Sequence, residues 1–209
     1  MYSGAKIELL DMMGDDRAVA RTAWVCTNRG QDATEEDVEK LISFLATHGH
    51  GTPFEAVNLC FLVECPIFVA RQWMRHRMNS FNERSMRYVH LKEEMKFFKM
   101  PEGFMAGFLE NEYRVLCSDA QKLYHKIIEM AEDKRRAREL ARAVLPQGMF
   151  TKFQWTVNLR SLANFIWHRS APGAQEEIRV FSDEIKRILK ETGKLDVSLK
   201  ALEDAKWEI

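Results

Sequence analysis

Residues 57–88 read VNLCFLVECPIFVARQWMRHRMNSFNERSMRY. The opening nine alternate, with Val57, Leu59, Phe61 and Val63 on one side and Asn58, Cys60, Leu62 and Glu64 on the other. That is the period of a strand with one strongly apolar face. Pro66 then suits the first turn of a helix, where its missing N–H is no loss. The helix is expected from Ile67 to about Arg77, with Arg71 and Arg75 as like-charged i,i+4 neighbours on it. Residues 78–87 are mostly polar and read as a loop.

The end of this stretch is also the chemical centre of the chain. Residues 71–88 hold five arginines (Arg71, Arg75, Arg77, Arg84, Arg87), one histidine (His76) and one acid (Glu83). Five positive charges less one leave four, in a chain whose 31 basic and 31 acidic residues cancel. Such a local cluster is costly unless an anion neutralises it. Asn79, Ser80, Asn82 and Ser85 intersperse short donors and acceptors, suited to a ligand with several hydrogen-bonding edges.

Moving outward, Lys6–Leu10 reads as a short edge strand and Asp16–Trp24 as a helix. Thr34 caps a further helix, with Asp37 in the capping-box position and Val38, Leu41, Ile42 and Leu45 on one face. His48-Gly49-His50-Gly51 and Pro53 end it. Asn111–Ala131 and Asp133–Leu145 read as helices, Phe150–Val157 as a second alternating strand, and Ser161–Arg169 as a short helix with Leu162, Phe165 and Ile166 inward. Ala174–Thr192 is a long amphipathic helix closed by Gly193. Helices outnumber strands and no regular βαβ crossover appears. The expectation is an α+β fold, a mixed or antiparallel sheet packed with helices, in a single domain over residues 1–209.

At 46% apolar and 30% charged residues, the composition is that of a globular protein. Zero net charge argues against a general nucleic-acid binder. No apolar run approaches the roughly 20 residues of a membrane span, and the N-terminus lacks a basic-then-apolar signal pattern, so the cytoplasm is the expected location. Cys26, Cys60, Cys65 and Cys117 lack metal spacing and read as buried free thiols. His48, His50 and His76 lack the carboxylates or thiolates of a recognisable metal motif, so no metal is expected. Without a glycine-rich phosphate loop, phosphate must be held by arginine forks. Asn158, Arg160, Asn164, Arg169 and Arg142 could add to such a site. Arg160 and Arg169 could equally be surface salt bridges, and Arg135, Arg136 and Arg138 a solvated face. Ser85 reads as a binding hydroxyl or, less simply, as a nucleophile. On residues alone, a rival role remains open, in which Trp73, Phe81 and Tyr88 stack on the bases of a single strand.

Arg75-His76-Arg77, seven residues and then Ser85 resemble the RHR-x7-S signature of the flavin-dependent thymidylate synthases, here RHRMNSFNERSMRY. HGHGTPFEA (48–56), PIFVARQWMRHR (66–77), ELARAVLP (139–146), FTKFQWTVNLRSLANF (150–165) and AQEEIR (174–179) are similar to further family segments in the same order. The similarity covers roughly residues 35–180.

The resemblance implies a homotetramer of α+β subunits with active sites at subunit interfaces. It implies reductive methylation of dUMP to dTMP, with 5,10-methylenetetrahydrofolate as one-carbon donor, tightly bound FAD reduced by NADPH, and tetrahydrofolate released. By motif position, Thr52, Arg75, His76, Arg77, Glu83, Asn158, Leu159, Arg160 and Asn164 are implied to face FAD. Gln72, Trp73, Met74, Arg75, Glu83, Arg84, Ser85, Met86, Arg87, Arg142 and Arg169 are implied to hold dUMP. Arg169 is the implied catalytic residue, favouring ionisation of the uracil at N3. Two positions depart from the family pattern: Cys26 stands where serine is frequent, and Gly173 where histidine is frequent.

Overall fold

The protein is described by a computed structural model covering residues 1–27, 32–88, 95–104 and 106–206. Its centre is a fully antiparallel sheet in the order β1-β2-β4-β3, built from β1 (Lys6–Met13), β2 (Asn58–Pro66), β3 (Asn79–Glu83) and β4 (Phe150–Asn158). The inner pair β2/β4 runs unbroken from Asn58 opposite Asn158 to Pro66 opposite Phe150. Alternation buries Leu59, Phe61, Val63 and Cys65 on β2 and Phe153, Trp155 and Val157 on β4. The edge strand β1 carries a register shift between Leu9 and Asp11. A bulge of this kind twists an edge and discourages further pairing.

Among the described residues eight α-helices accompany the sheet: α1 (Asp16–Val25), α2 (Glu35–Thr47), α3 (Ile67–Trp73), α4 (Gly107–Met130), α5 (Lys134–Ala141), α6 (Leu159–Ser170), α7 (Glu176–Thr192) and α8 (Asp196–Asp204). The Thr34/Asp37 capping box starts α2, and Gly193 closes α7 in the left-handed region at φ 61°. The aromatic centre is where sheet and helices meet. Trp73 of α3 lies 4.7 Å from Phe165 of α6, 5.1 Å from Trp155 and 5.2 Å from Phe181 of α7, ring centre to ring centre. Buried rings at such spacings add edge-to-face attraction to their area. A smaller cluster, Met95, Tyr124, Ile128, Ala137, Ala141 and Met149, joins α4 to α5.

Three expectations change. The helix after Pro66 ends at Trp73, so Arg75 lies past its C-cap at Met74 and does not share a helical face with Arg71. The chain turns instead: Met78 adopts φ 61°, and the Asn79 side chain donates to the Arg77 carbonyl at 2.8 Å. What read as a loop contains β3, a polar edge strand made by pairing with β4. Helix α8 had no sequence signal because its first residues are capped from elsewhere. The Asp16 carboxylate accepts from the Val197 and Ser198 amides at 3.0 and 2.9 Å. The four cysteines are free, with Cys65 and Cys117 buried, Cys60 half-buried on the opposite face of β2 from Cys65, and Cys26 exposed rather than buried.

Candidate active site

Strand register brings three segments to one end of the sheet. Asn58, where β2 starts, faces Asn158, where β4 ends, and Val157 faces Asn79, where β3 starts. The 3-10 turn Thr52–Ala56, the Arg75–Met78 turn and the start of α6 therefore converge there. Arg160 Nη1 donates to Glu55 Oε1 at 2.7 Å, so Arg160 does form a salt bridge, but one inside this cluster. Any side chain at Gly51 would have to displace it, since a Cβ there would lie 2.6 Å from Arg160 Nε. Asn158 caps α6, accepting from the Ser161 amide at 2.8 Å. Leu159 is in the core and its amide donates to the Val57 carbonyl, so neither its side chain nor its N–H is open to a ligand. Asn164 Oδ1 is buried without a partner among the described residues. An orphaned buried acceptor calls for a donor from outside the chain, which fits a flavin with hydrogen-bonding ring edges.

Further along, Arg169 in the last turn of α6 donates from Nε to His76 Nε2 at 2.9 Å and from Nη2 to the Gln72 carbonyl at 3.2 Å. It makes no ion pair among the described residues, so it is not the surface salt bridge that sequence left open. Burial lowers its affinity for a proton. Burial, then Arg169 and His168, push His76 from 6.5 down to about 4. A neutral imidazole accepting at Nε2 carries its proton on Nδ1. The Trp73 side chain is wholly in the core, so its implied contribution to a ligand is left to its main chain. Gln72 is tied to the Gln175 side chain at the start of α7.

The rest of the implied nucleotide set lies at the other end of β3. Four residue steps, about 13 Å, separate Asn79 from Glu83. Glu83 Oε1 accepts from Thr151 Oγ1 at 2.5 Å, and the Arg84 amide donates to the Lys152 carbonyl at 2.9 Å. Ser85 Oγ accepts from the Arg87 amide at 3.3 Å, and no base hydrogen-bonds it among the described residues. Arg87 Nη2 donates to Glu139 Oε1 at 2.9 Å, and Arg142 Nε to the Glu139 carbonyl at 3.2 Å. Sequence reasoning passed over Glu55, Thr151, Gln175 and Glu139. All four lie inside the quoted family segments, and Glu139 also stands three residues before Arg142 on the same helical stretch. His48 and His50 stack with Phe44, and no group of three metal-competent side chains occurs among the described residues.

The family model for the thymidylate synthase complementing protein matches residues 8–192. The flavin-dependent thymidylate synthase of Thermosipho africanus is 41% identical over 199 residues, spanning 88% of this chain and 86% of that protein. That of Thermus thermophilus is 42% identical over 196 residues, spanning 88% and 71%. Among solved structures, the UMP/dUMP methylase PolB from Streptomyces cacaoi, bound with 5-Br UMP, superposes with a TM-score of 0.76 at 25% identity. That match covers 98% of this chain and 96% of PolB.

Proposed function

The chain belongs to the thymidylate synthase complementing protein family, the flavin-dependent thymidylate synthases, and from that premise we propose that it reductively methylates dUMP to dTMP. The one-carbon donor is 5,10-methylenetetrahydrofolate, NADPH is the reductant and tetrahydrofolate leaves. Bound FAD supplies the hydride that completes the methyl group.

The observation that carries this reading is the state of Arg169. It is a half-buried cation whose partners are an imidazole nitrogen and a carbonyl, with no carboxylate among the described residues. A fixed cation without a counterion stabilises negative charge developing beside it, more strongly where water is excluded. Placed against a uracil, it favours the N3-ionised form and makes C5 a better nucleophile. His76, neutral and accepting, orients the guanidinium without neutralising it. Glu83 through Arg87 and Arg142 supply the phosphate and sugar contacts. Ser85 serves there as a hydroxyl ligand, since a nucleophile needs a base within reach.

We take the active form to be a homotetramer. The nucleotide set is split between the two ends of β3, and one small ligand meets both halves when different subunits contribute them. Helix α4 supports association: Leu109, Leu116, Leu123 and Met130, seven residues apart, are all exposed, the spacing of a helix seam awaiting a partner. No helix among the described residues is long and apolar enough to cross a membrane, and the cytoplasm is the proposed location.

The test is direct. Purified protein should be yellow, bleach with NADPH, and convert dUMP to dTMP only with the folate donor. Colourless protein after FAD reconstitution, with no dTMP formed, overturns the reading. Parallel assays with UMP and dCMP decide the base and sugar preference, with dUMP the expected substrate because the more similar relatives are thymidylate synthases.

A further inference from the structure

We infer that Glu139 is a positioning residue for the nucleotide, holding Arg87 and Arg142 in one fixed arrangement although it contacts no ligand itself. Its Oε1 accepts from Arg87 Nη2 at 2.9 Å, its Oε2 from Arg136 Nη1 at 2.8 Å, and its main-chain carbonyl from Arg142 Nε at 3.2 Å. It thus joins a loop arginine to one 55 residues away (142 − 87 = 55) on a different element. The inference rests on the reading of Arg87 and Arg142 as dUMP ligands.

Three features make Glu139 a fixed point. Helix α5 is locked at its start, where Asp133 Oδ1 accepts from the Arg135 and Arg136 amides. Ala137 and Ala141 bury its inner face. The Glu139 side chain is itself only 19% exposed, whereas Arg87 is 42% exposed. Three arginines less one carboxylate leave two positive charges (3 − 1 = 2), which match a phosphate monoester of nearly two negative charges at neutral pH. Arg87 also lies 5.4 Å over the Tyr88 ring, and its amide donates to Ser85 Oγ, so fixing its guanidinium steadies the whole turn.

Removing the carboxylate has two opposed effects. The site becomes more positive, but water and salt screen that gain at a half-exposed arginine. Arg87 regains rotamer freedom that every binding event must then remove. Fixed geometry is the larger effect, so dUMP should bind more weakly.

The experiment is a double-mutant cycle on the FAD-loaded protein. Glu139→Gln should raise the Kd for dUMP about tenfold, a change of about 1.4 kcal/mol. FAD content, melting temperature and kcat at saturating dUMP should stay unchanged. Arg87→Ala should weaken dUMP binding too, and the double variant should bind no worse than Arg87→Ala alone. Arg136→Ala should leave dUMP binding within a few-fold. Wild-type Kd or tighter binding in Glu139→Gln, or additive losses in the double variant, overturn the inference. If wild-type protein binds no dUMP, the functional reading fails instead, and the two failures are distinguishable.

Discussion

Two arginines of the candidate site sit in opposite environments. Arg169 is half-buried at the end of α6, held by a neutral imidazole and a carbonyl. Arg87 is more exposed, beyond β3, and shares a carboxylate with Arg136. Burial disfavours the charged form of the first, whereas hydrogen bonding to Glu139 favours the charged form of the second. A half-buried cation left without a counterion is poised to answer charge that appears during a reaction. A cation already paired at the surface is suited to holding a charge present throughout. In the proposed reading the same side chain serves chemistry in one place and recognition in the other.

The sharpest way to break the comparison is Arg169→Ala. It should cost about 10²–10³ in kcat or more, the scale of losing one preorganised charge stabiliser, while FAD stays bound. Normal dTMP formation would remove the catalytic role. Next in size is Trp73→Ala, which should cost about 3–5 kcal/mol of stability as a large core deletion. It should disturb the Arg169 end selectively, because Trp73 anchors the turn that presents Gln72 and His76. A melting point within a degree or two of wild type would show that the aromatic centre is not what holds that turn.

A pH series sharpens the contrast without touching either arginine. His76 titrates near 6.5 when unfolded and at about 4 when folded. Between those values the unfolded chain binds the extra proton, so stability falls as pH drops through this window and is fully retained above it. His76→Gln should flatten that part of a melting-temperature profile. An unchanged slope would mean His76 is not the buried neutral partner of Arg169. The smallest effect is expected from Ser85→Ala, which loses one long hydrogen bond at 3.3 Å and should keep activity within about tenfold. Complete loss of turnover with intact dUMP binding would revive the nucleophile.

Much of this was legible because it is local. The alternation of β2 and β4, the Thr34/Asp37 box and the Gly193 stop each depend on residues a few positions apart. The signature run is legible for the same reason. Where partners are remote, the reading failed or stopped. Asn79–Glu83 has no apolar alternation of its own and becomes a strand because β4 lies beside it. Helix α8 is capped by Asp16, some 181 residues away. The helix after Pro66 looked four residues longer than it is, since nothing in MRHR forbids a helix and the turn at Met78 is imposed by the entry into β3.

The sequence by itself determined the two central strands, most of the helices, the local concentration of arginines and the family resemblance. These follow from periodicity, capping and motif spacing, which act within a few residues. Only the tertiary structure decided which arginine is paired with a carboxylate and which is not. Arg169 meets His76 across 93 residues and Arg87 meets Glu139 across 52. Whether a cation has a counterion or is desolvated is set by what packs against it in space, and charge in sequence carries no record of that.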